Sequence, residues 1–428
     1  MKINKWTLGL AAVGLVSLAP ALLAQTAAQQ QVPLLTSLSA TTISGYVDTS
    51  AVWNPGTGNA NPAPYAFNAG KQDGFNLDAV DIKLSKPLEE GKWSAGYVAE
   101  LSYGTDAQGI DAGAYPIRQA YVDLGIPIGN GLEIKLGRFD NILGYETSDS
   151  MNDPNWTRSY GYSFEPTEHT GLLASYKFAD WIGLQVGVAN ELTTSGAANS
   201  RNLPGTYQNE GKKAVLSLLT LTAPDSWGCL KGSALYGGFD IGQGAASAST
   251  EEWYVGATIN TPLTGLSFGA SWDSIQDVAL VNPGTPATYA AGALVAAPTA
   301  AYGYDAGYFQ SIAGYAQYVI NDKAKISARY EYANGTALSS SEVNADSGVN
   351  SAGVLVGPAY GTLNKVMALT GTFEYDLWAN VISRIEVRWD KNAGGGGYAF
   401  GGIGNTGSGI APTANNEILI AANVIYKF

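Results

Sequence analysis

A lone histidine and a lone cysteine limit the chemistry open to this 428-residue chain. With only His169 and Cys229 present, a multi-histidine metal site, a cysteine metal cluster and an intrachain disulfide are ruled out. His169 has acidic neighbours in Glu165 and Glu168. A Ser–His–acid site, however, needs three groups within hydrogen-bond reach, and the sequence places no serine there. A structural histidine at a loop-to-strand junction is the preferred reading, and a barrel enzyme around His169 is the weakest alternative. Gly402, Gly404 and Gly407 match a dinucleotide-binding spacing, but within a glycine-rich stretch that no helical pattern follows. No catalytic residue, metal or cofactor is expected, and Cys229 offers no visible function.

The chemistry that remains is charge repeated at every second residue. Arg384, Glu386, Arg388 and Asp390 alternate with Val381, Ile385, Val387 and Trp389. Lys325, Ser327, Arg329 and Glu331 alternate with Ile326, Ala328 and Tyr330. Glu100 shares a side with Ser94, Val98 and Ser102, opposite Trp93, Tyr97, Leu101 and Tyr103. Such alternation describes strands with one apolar and one polar face. An Arg or Lys turned to hydrocarbon at mid-depth costs roughly 2–4 kcal/mol. If the apolar faces meet lipid, then Glu100, Lys325, Arg329, Glu331, Arg384, Glu386 and Arg388 line a watery lumen. Both signs occur there, which predicts a transverse field across a hydrated channel; a shut lumen in which the charges neutralise one another is the alternative.

The elements that must position these charges recur along the whole chain. Sixteen candidate strands lie near 41–53, 76–86, 92–103, 117–126, 131–140, 170–179, 181–193, 211–222, 229–241, 251–260, 265–276, 307–320, 323–335, 363–375, 379–391 and 416–428. Short turns (Pro87–Gly91, Pro127–Asn130, Asp180, Ala223–Gly228, Thr261–Thr264, Asn321–Asp322, Asp376–Trp378) alternate with long connections, 54–75, 104–116, 141–169, 194–210, 242–250, 277–306, 336–362 and 392–415. Short turns at one rim and long loops at the other predict an all-β, transmembrane antiparallel β-barrel of about 16 strands. The tryptophans agree: Trp93, Trp181, Trp227 and Trp378 fall at the short-turn ends, Trp53, Trp253, Trp272 and Trp389 at the long-loop ends, and only Trp156 deep in a loop.

Composition fits the same reading. Charged residues make up 14% of the chain, below the roughly 25% usual for soluble domains, with 53 Gly and 25 Tyr. A basic start, an apolar run from about Leu8 to Leu23 and small residues after it predict a signal peptide over 1–24, with cleavage as late as 28. A short periplasmic tail over 25–40 and a single barrel over 41–428 follow. Loss of Lys2 and Lys5 with the leader takes the formal charge from −13 to −15, which argues against nucleic acid as a partner.

The last strand, Glu417 to Phe428, turns Ile418, Ile420, Ala422, Val424, Tyr426 and Phe428 to one side and must pair with the first strand near Ile43–Trp53. Its end, Phe428 with Tyr426 two residues earlier, resembles the C-terminal signature of bacterial outer-membrane barrels. That implies a Gram-negative outer membrane, lipid contact, and insertion by the barrel assembly machinery. The most distinctive loop opens Gly137-Arg138-Phe139-Asp140 and continues through Gly144-Tyr145-Glu146 and Asn155-Trp156-Thr157-Arg158-Ser159. It leaves through Pro166-Thr167-Glu168-His169-Thr170-Gly171. These motifs, over about 137–171 and loosely from Arg118-Gln119-Ala120-Tyr121, resemble the putative β-barrel porin-2 family. The resemblance implies an outer-membrane pore. By analogy with sixteen-strand porins the loop folds inward, making Arg138, Asp140, Glu146 and Asp149 constriction candidates, together with Asp153, Arg158, Glu165 and Glu168. Arg158 and its acidic neighbours pinning the loop's shape is an equal alternative. The expected function is passive diffusion of ions and small hydrophilic solutes, with a homotrimer expected only from that analogy. The second reading is a closed structural barrel that binds partners through its outer loops. Phe428, Tyr426, Trp93, Trp181, Trp253, Trp272 and Trp389 are the expected closure and anchoring residues.

Overall fold

The computed structural model describes residues 40–68, 71, 73–107, 117–190, 192, 213–243, 249–281, 288–290, 293–296, 304–338, 355–356, 363–394, 397–404 and 411–428. The expected leader over 1–24, the tail up to residue 39 and the loop 194–210 lie outside them.

Sixteen strands form the wall. The first eight are β1 (Thr42–Trp53), β2 (Gly74–Lys86), β3 (Ser94–Tyr103), β4 (Ile117–Ile126), β5 (Leu132–Asp140), β6 (Glu168–Ala179), β7 (Ile182–Ala189) and β8 (Ala214–Thr222). The second eight are β9 (Ala234–Gln243), β10 (Ser249–Asn260), β11 (Leu266–Val281), β12 (Tyr304–Asn321), β13 (Ala324–Leu338), β14 (Leu363–Trp378), β15 (Val381–Asn392) and β16 (Asn416–Lys427). Each pairs antiparallel with its sequence neighbours, and β1 pairs with β16 from Tyr46↔Lys427 to Trp53↔Ile420. These sixteen strands make a closed antiparallel barrel, and the two-residue strand Leu355–Val356 adds in parallel to the end of β11. Closure leaves no edge for other chains to template on. Gly45 and Phe428 complete the seam by exchanging two backbone hydrogen bonds of 3.0 Å. A Cβ at Gly45 would run into the Phe428 ring and the Asp81 carbonyl, so the seam needs glycine there.

Alternation has its expected effect. Along β16, Glu417, Leu419, Ala421, Asn423 and Ile425 are buried inside, while Ile418, Ala422, Val424 and Tyr426 are exposed on the outer face. Trp93, Trp181 and Trp378 stand exposed at the short-turn rim, with Trp53 and Trp253 exposed toward the other; Trp272 and Trp389 lie on the outer face, half-buried.

Three expected boundaries are corrected. The turn after β8 runs to Ser233 rather than Gly228: Asp225–Leu230 curls into a 3-10 helix, and Gly228 takes φ 60°. A Lys231–Asp225 ion pair of 2.7 Å closes the curl, so Cys229 sits exposed in a turn rather than opening a strand. The stretch Asp376–Trp378, expected as a turn, completes β14 instead; Asn380, at φ 68°, makes the bend. Finally, β6 begins at Glu168, because His169 and Glu168 pair with Phe139 and Asp140. The long loop is therefore 141–167, and Glu168 and His169 belong to the wall.

Candidate functional site

The segment 141–167 folds into the lumen, where it has no sheet to join. Backbone N–H and C=O groups buried in this way need other partners. The charged inner faces of β13 and β15 supply them. Glu386 accepts the N–H groups of Trp156 (2.6 Å) and Thr157 (2.9 Å), and Glu331 accepts that of Tyr160 (2.6 Å). In the opposite sense, Arg329 donates to the Thr157 carbonyl at 2.6 Å and to that of Arg158 at 3.1 Å, and Arg388 donates to Arg158 at 2.7 Å. Further along, Arg384 reaches the Ser150 carbonyl at 2.7 Å, and Tyr160 Oη donates to Asp390 at 2.8 Å. Arg329 and Arg388 are both fully buried under these contacts.

Loops from either side of the β1–β16 seam pack on the same segment. The Arg388 guanidinium lies 3.8 Å from the Tyr65 ring and 5.0 Å from that of Tyr160, a cation held between two aromatic faces. Lys71 sits 4.6 Å over Trp156 while bonding Asp106 at 2.6 Å. The Trp156 indole N–H donates to Asp78 at 3.3 Å. Residues 57–61 and 401–402 exchange backbone hydrogen bonds, such as Gly402 to Thr57 at 2.9 Å, which joins the two loops above the seam.

The constriction candidates separate into distinct groups. Glu146 meets Arg329 at 2.7 Å, and Asp140 meets Arg118 at 2.9 Å; Arg118 also binds Asp149 directly, and Glu100 at 2.7 Å. Arg138 and Glu168 pair with one another at 3.1 Å, across the ends of β5 and β6. Arg158 turns inward on its own loop, bonding Asp153 at 3.1 Å and the carbonyls of Thr147, Ser148 and Trp156. Glu165 stands against Asp273 on β11 as a hydrogen-bonded carboxyl pair. Side chains at Gly144 and Gly161 would collide with Glu165 and Asp273 respectively. Burial pushes the Glu165 carboxyl well up, and Asp273 beside it adds to the shift. Burial pushes Asp149 the same way, but the Arg118 and Lys83 charges outweigh it and hold the carboxyl below its ordinary value.

The lumen candidates Glu100, Lys325, Arg329, Glu331, Arg384, Glu386 and Arg388 all face inward. Lys325 and Arg384 share Glu374, at 2.9 and 2.8 Å. His169 Nε2 lies 3.0 Å from Asp240, both fully buried, so the pair ties β6 to β9. Asp81, Glu100 and Asp149 bring carboxylate oxygens within 4.8 Å of one another, a spacing that suits a cation, but Arg118 and Lys83 already supply that charge. Arg118, Lys71 and Asp78 were absent from the expected site. Arg118 was visible in the sequence only as part of the upstream Arg-Gln-Ala-Tyr, and its partners are 18 to 37 residues away.

A cavity of about 870 Å³ remains beneath the segment. It runs along β4–β12 to the short-turn rim near Thr222 and Cys229, and the segment borders it through Leu143, Tyr145 and Asp149.

A family model described as "Putative beta-barrel porin-2, OmpL-like" matches residues 40–428. Among solved structures, the anion-selective porin from Comamonas acidovorans superposes with a TM-score of 0.55 at 12% identity, over 91% of this chain and 99% of its own. Pseudomonas putida OprB gives 0.53 at 12% identity, over 92% and 96%. OmpT, an outer-membrane protein of Vibrio cholerae in a trimer form, gives 0.51 at 10% identity, over 91% and 99%. At these identities the likeness is one of fold. No curated protein sequence matches the chain.

Proposed function

The chain belongs to the putative β-barrel porin-2 family, and from that premise we propose that it is a passive diffusion channel for ions and small hydrophilic solutes, with 141–167 as its constriction. It is an outer-membrane barrel of a Gram-negative bacterium. The carrying observation is that lumen charges on β13 and β15 hold the segment's backbone inside the barrel, above a cavity reaching the short-turn rim. Selectivity then comes from width and lumen charge without energy coupling. A channel is favoured over an enzyme because His169 is buried against Asp240 as a wall contact. Cleavage of a leader over 1–24, delivery by the barrel assembly machinery through Phe428, and a homotrimer complete the proposal; the trimer form of Vibrio cholerae OmpT supports the last.

The test is single-channel recording of the refolded protein in a planar bilayer under a salt gradient. Stable ohmic steps are expected, and the reversal potential reads the ion preference. One rival has an observation in its favour: the full burial of Arg329, Glu331 and Arg388 under the segment suits a barrel shut at mid-height that binds partners outside. A folded but silent barrel would select that rival.

A further inference from the structure

The wall of the cavity is divided by charge. Gln185 on β7, Thr220 on β8, Tyr236 on β9, Thr258 on β10, Ser267 on β11 and Gln317 on β12 all face the cavity, and none carries a charge. They lie on six adjacent strands, with the apolar Leu218 and Ala234 among them in the cavity wall. Thr220 lies opposite Tyr236, and Ser267 lies opposite Gln317. Acids do occur on these strands, at Asp240, Glu252 and Asp273, but nearer the long-loop ends. Across the cavity stand three lysines, each answered by a carboxylate: Lys83 by Glu100 at 2.8 Å, Lys325 by Glu374 at 2.9 Å and Lys135 by Glu133 at 3.6 Å. The other charges that border the cavity lie at its two ends: Lys231, paired with Asp225 at 2.7 Å, in the short turn, and Asp140, Glu146, Asp149, Asp153 and Glu165 at or on the inward segment.

A charged solute lying along these six side chains would shed water and meet no countercharge among them, which is unfavourable. An uncharged polyhydroxylated solute fares better. Its hydroxyls exchange hydrogen bonds with water for bonds to amides and hydroxyls that both donate and accept, a nearly balanced exchange. The C–H faces of such a ring pack on aromatic side chains, and Tyr121, Tyr145 and Tyr236 each border the cavity half-buried. The cavity's 870 Å³ is in the range of small-molecule sites, ~300–1,000 Å³.

We infer that the band from β7 to β12 is a track for uncharged polyhydroxylated solutes, the class of sugars and polyols. This rests on the diffusion reading and adds a substrate class to it. The experiment uses the full barrel in proteoliposomes and measures uptake of labelled glucose, gluconate and glucosamine, which are close in size and differ in charge. Potassium chloride conductance is recorded on the same preparation. Glucose is expected to enter faster than either charged analogue. Thr220→Val with Thr258→Val, which preserves shape, is expected to lower the ratio of glucose to gluconate uptake by about 3- to 10-fold, as is Tyr236→Ala. Should Tyr236→Ala fail to fold, the double valine variant decides. Equal rates for the three solutes, faster entry of a charged one, or a ratio unmoved by the valine variant would overturn the track and leave the diffusion reading standing. Conductance and uptake both absent from a folded barrel would overturn that reading, and the track with it.

Discussion

The wall of β13–β16 with β1–β4 and the wall of β7–β12 follow one alternation rule and put it to opposite uses. On the first, the inward positions are charged and hold the segment 141–167: Glu331 and Glu386 accept its N–H groups, while Arg329 and Arg388 bind its carbonyls. On the second, the inward positions nearer the short-turn rim are uncharged, Gln, Thr, Ser, Tyr and Gly together with Leu218 and Ala234, and a cavity remains there. The difference shows that a charge inside a barrel is not the same as a charge on the path. Arg329 and Arg388 are fully buried, whereas the Lys83 and Lys325 side chains keep 32% and 28% of their exposure. The formal charge of −13 therefore says little about what a solute meets.

The sharpest way to break the comparison is to remove one charge from the fastened wall. Arg329→Met leaves Glu146 and Glu331 without their shared cation. A buried pair broken on one side loses about 3–5 kcal/mol, so a large fall in the urea or thermal midpoint is expected, with larger and noisier conductance as the segment comes loose. Next in size is Glu386→Ala, which strips the acceptor from Trp156 and Thr157 N–H. Each orphaned buried group is worth about 1–3 kcal/mol. The same readouts should move in the same direction, whereas Thr258→Val on the neutral wall should leave the unfolding free energy within about 1 kcal/mol of the parent. An equal loss from Thr258→Val would erase the distinction between the walls.

Glu165 tests the place where the segment touches the second wall. Its folded pKa is raised above the unfolded value of about 4.3. The proton is therefore bound more tightly in the folded state. Glu165 contributes its full stability below the unfolded pKa and loses it as pH rises through the folded one. The unfolding free energy, followed by denaturation from acid to alkaline pH, should fall across that window, by at most about 1.4 kcal/mol per pH unit for one group. Glu165→Gln, neutral throughout, should flatten this part of the profile. An unchanged slope would remove Glu165 as its source.

Much of this architecture was legible in the chain because a barrel is written locally. The alternation in 379–391 and 416–428, the belts of Trp, and the short and long connections each depend on neighbours two to ten residues apart. What was not legible depends on closure. Arg118, Asp149 and Glu100 meet only because β3, β4 and the inward segment converge, and Arg388 finds Tyr65 only once β1 and β16 have closed the seam. Residues 229–233 read as the start of a strand because Cys229 and Leu230 directly precede its alternating run; the 3-10 curl over Asp225–Leu230, with its positive φ at Gly228, delays the strand to Ala234. Glu168 and His169 read as loop because they follow proline by two and three residues, yet pairing with Asp140 and Phe139 makes them strand.

The smallest expected effect separates the two walls by function rather than stability. Lys83 and Lys325 are partly exposed cations bordering the cavity, so they act on passing ions through water. Neutralising either as Lys83→Gln or Lys325→Gln frees part of Glu100 or Glu374 and should move the reversal potential toward cations. The shift should be clear at low salt and fade near 1 M, where the Debye length falls to about 3 Å. Thr258→Val should leave the reversal potential in place while lowering the glucose ratio. If the lysine variants changed glucose uptake as strongly as they changed the reversal potential, both solute classes would be using one path. The division of the lumen would then be a matter of construction and not of transport.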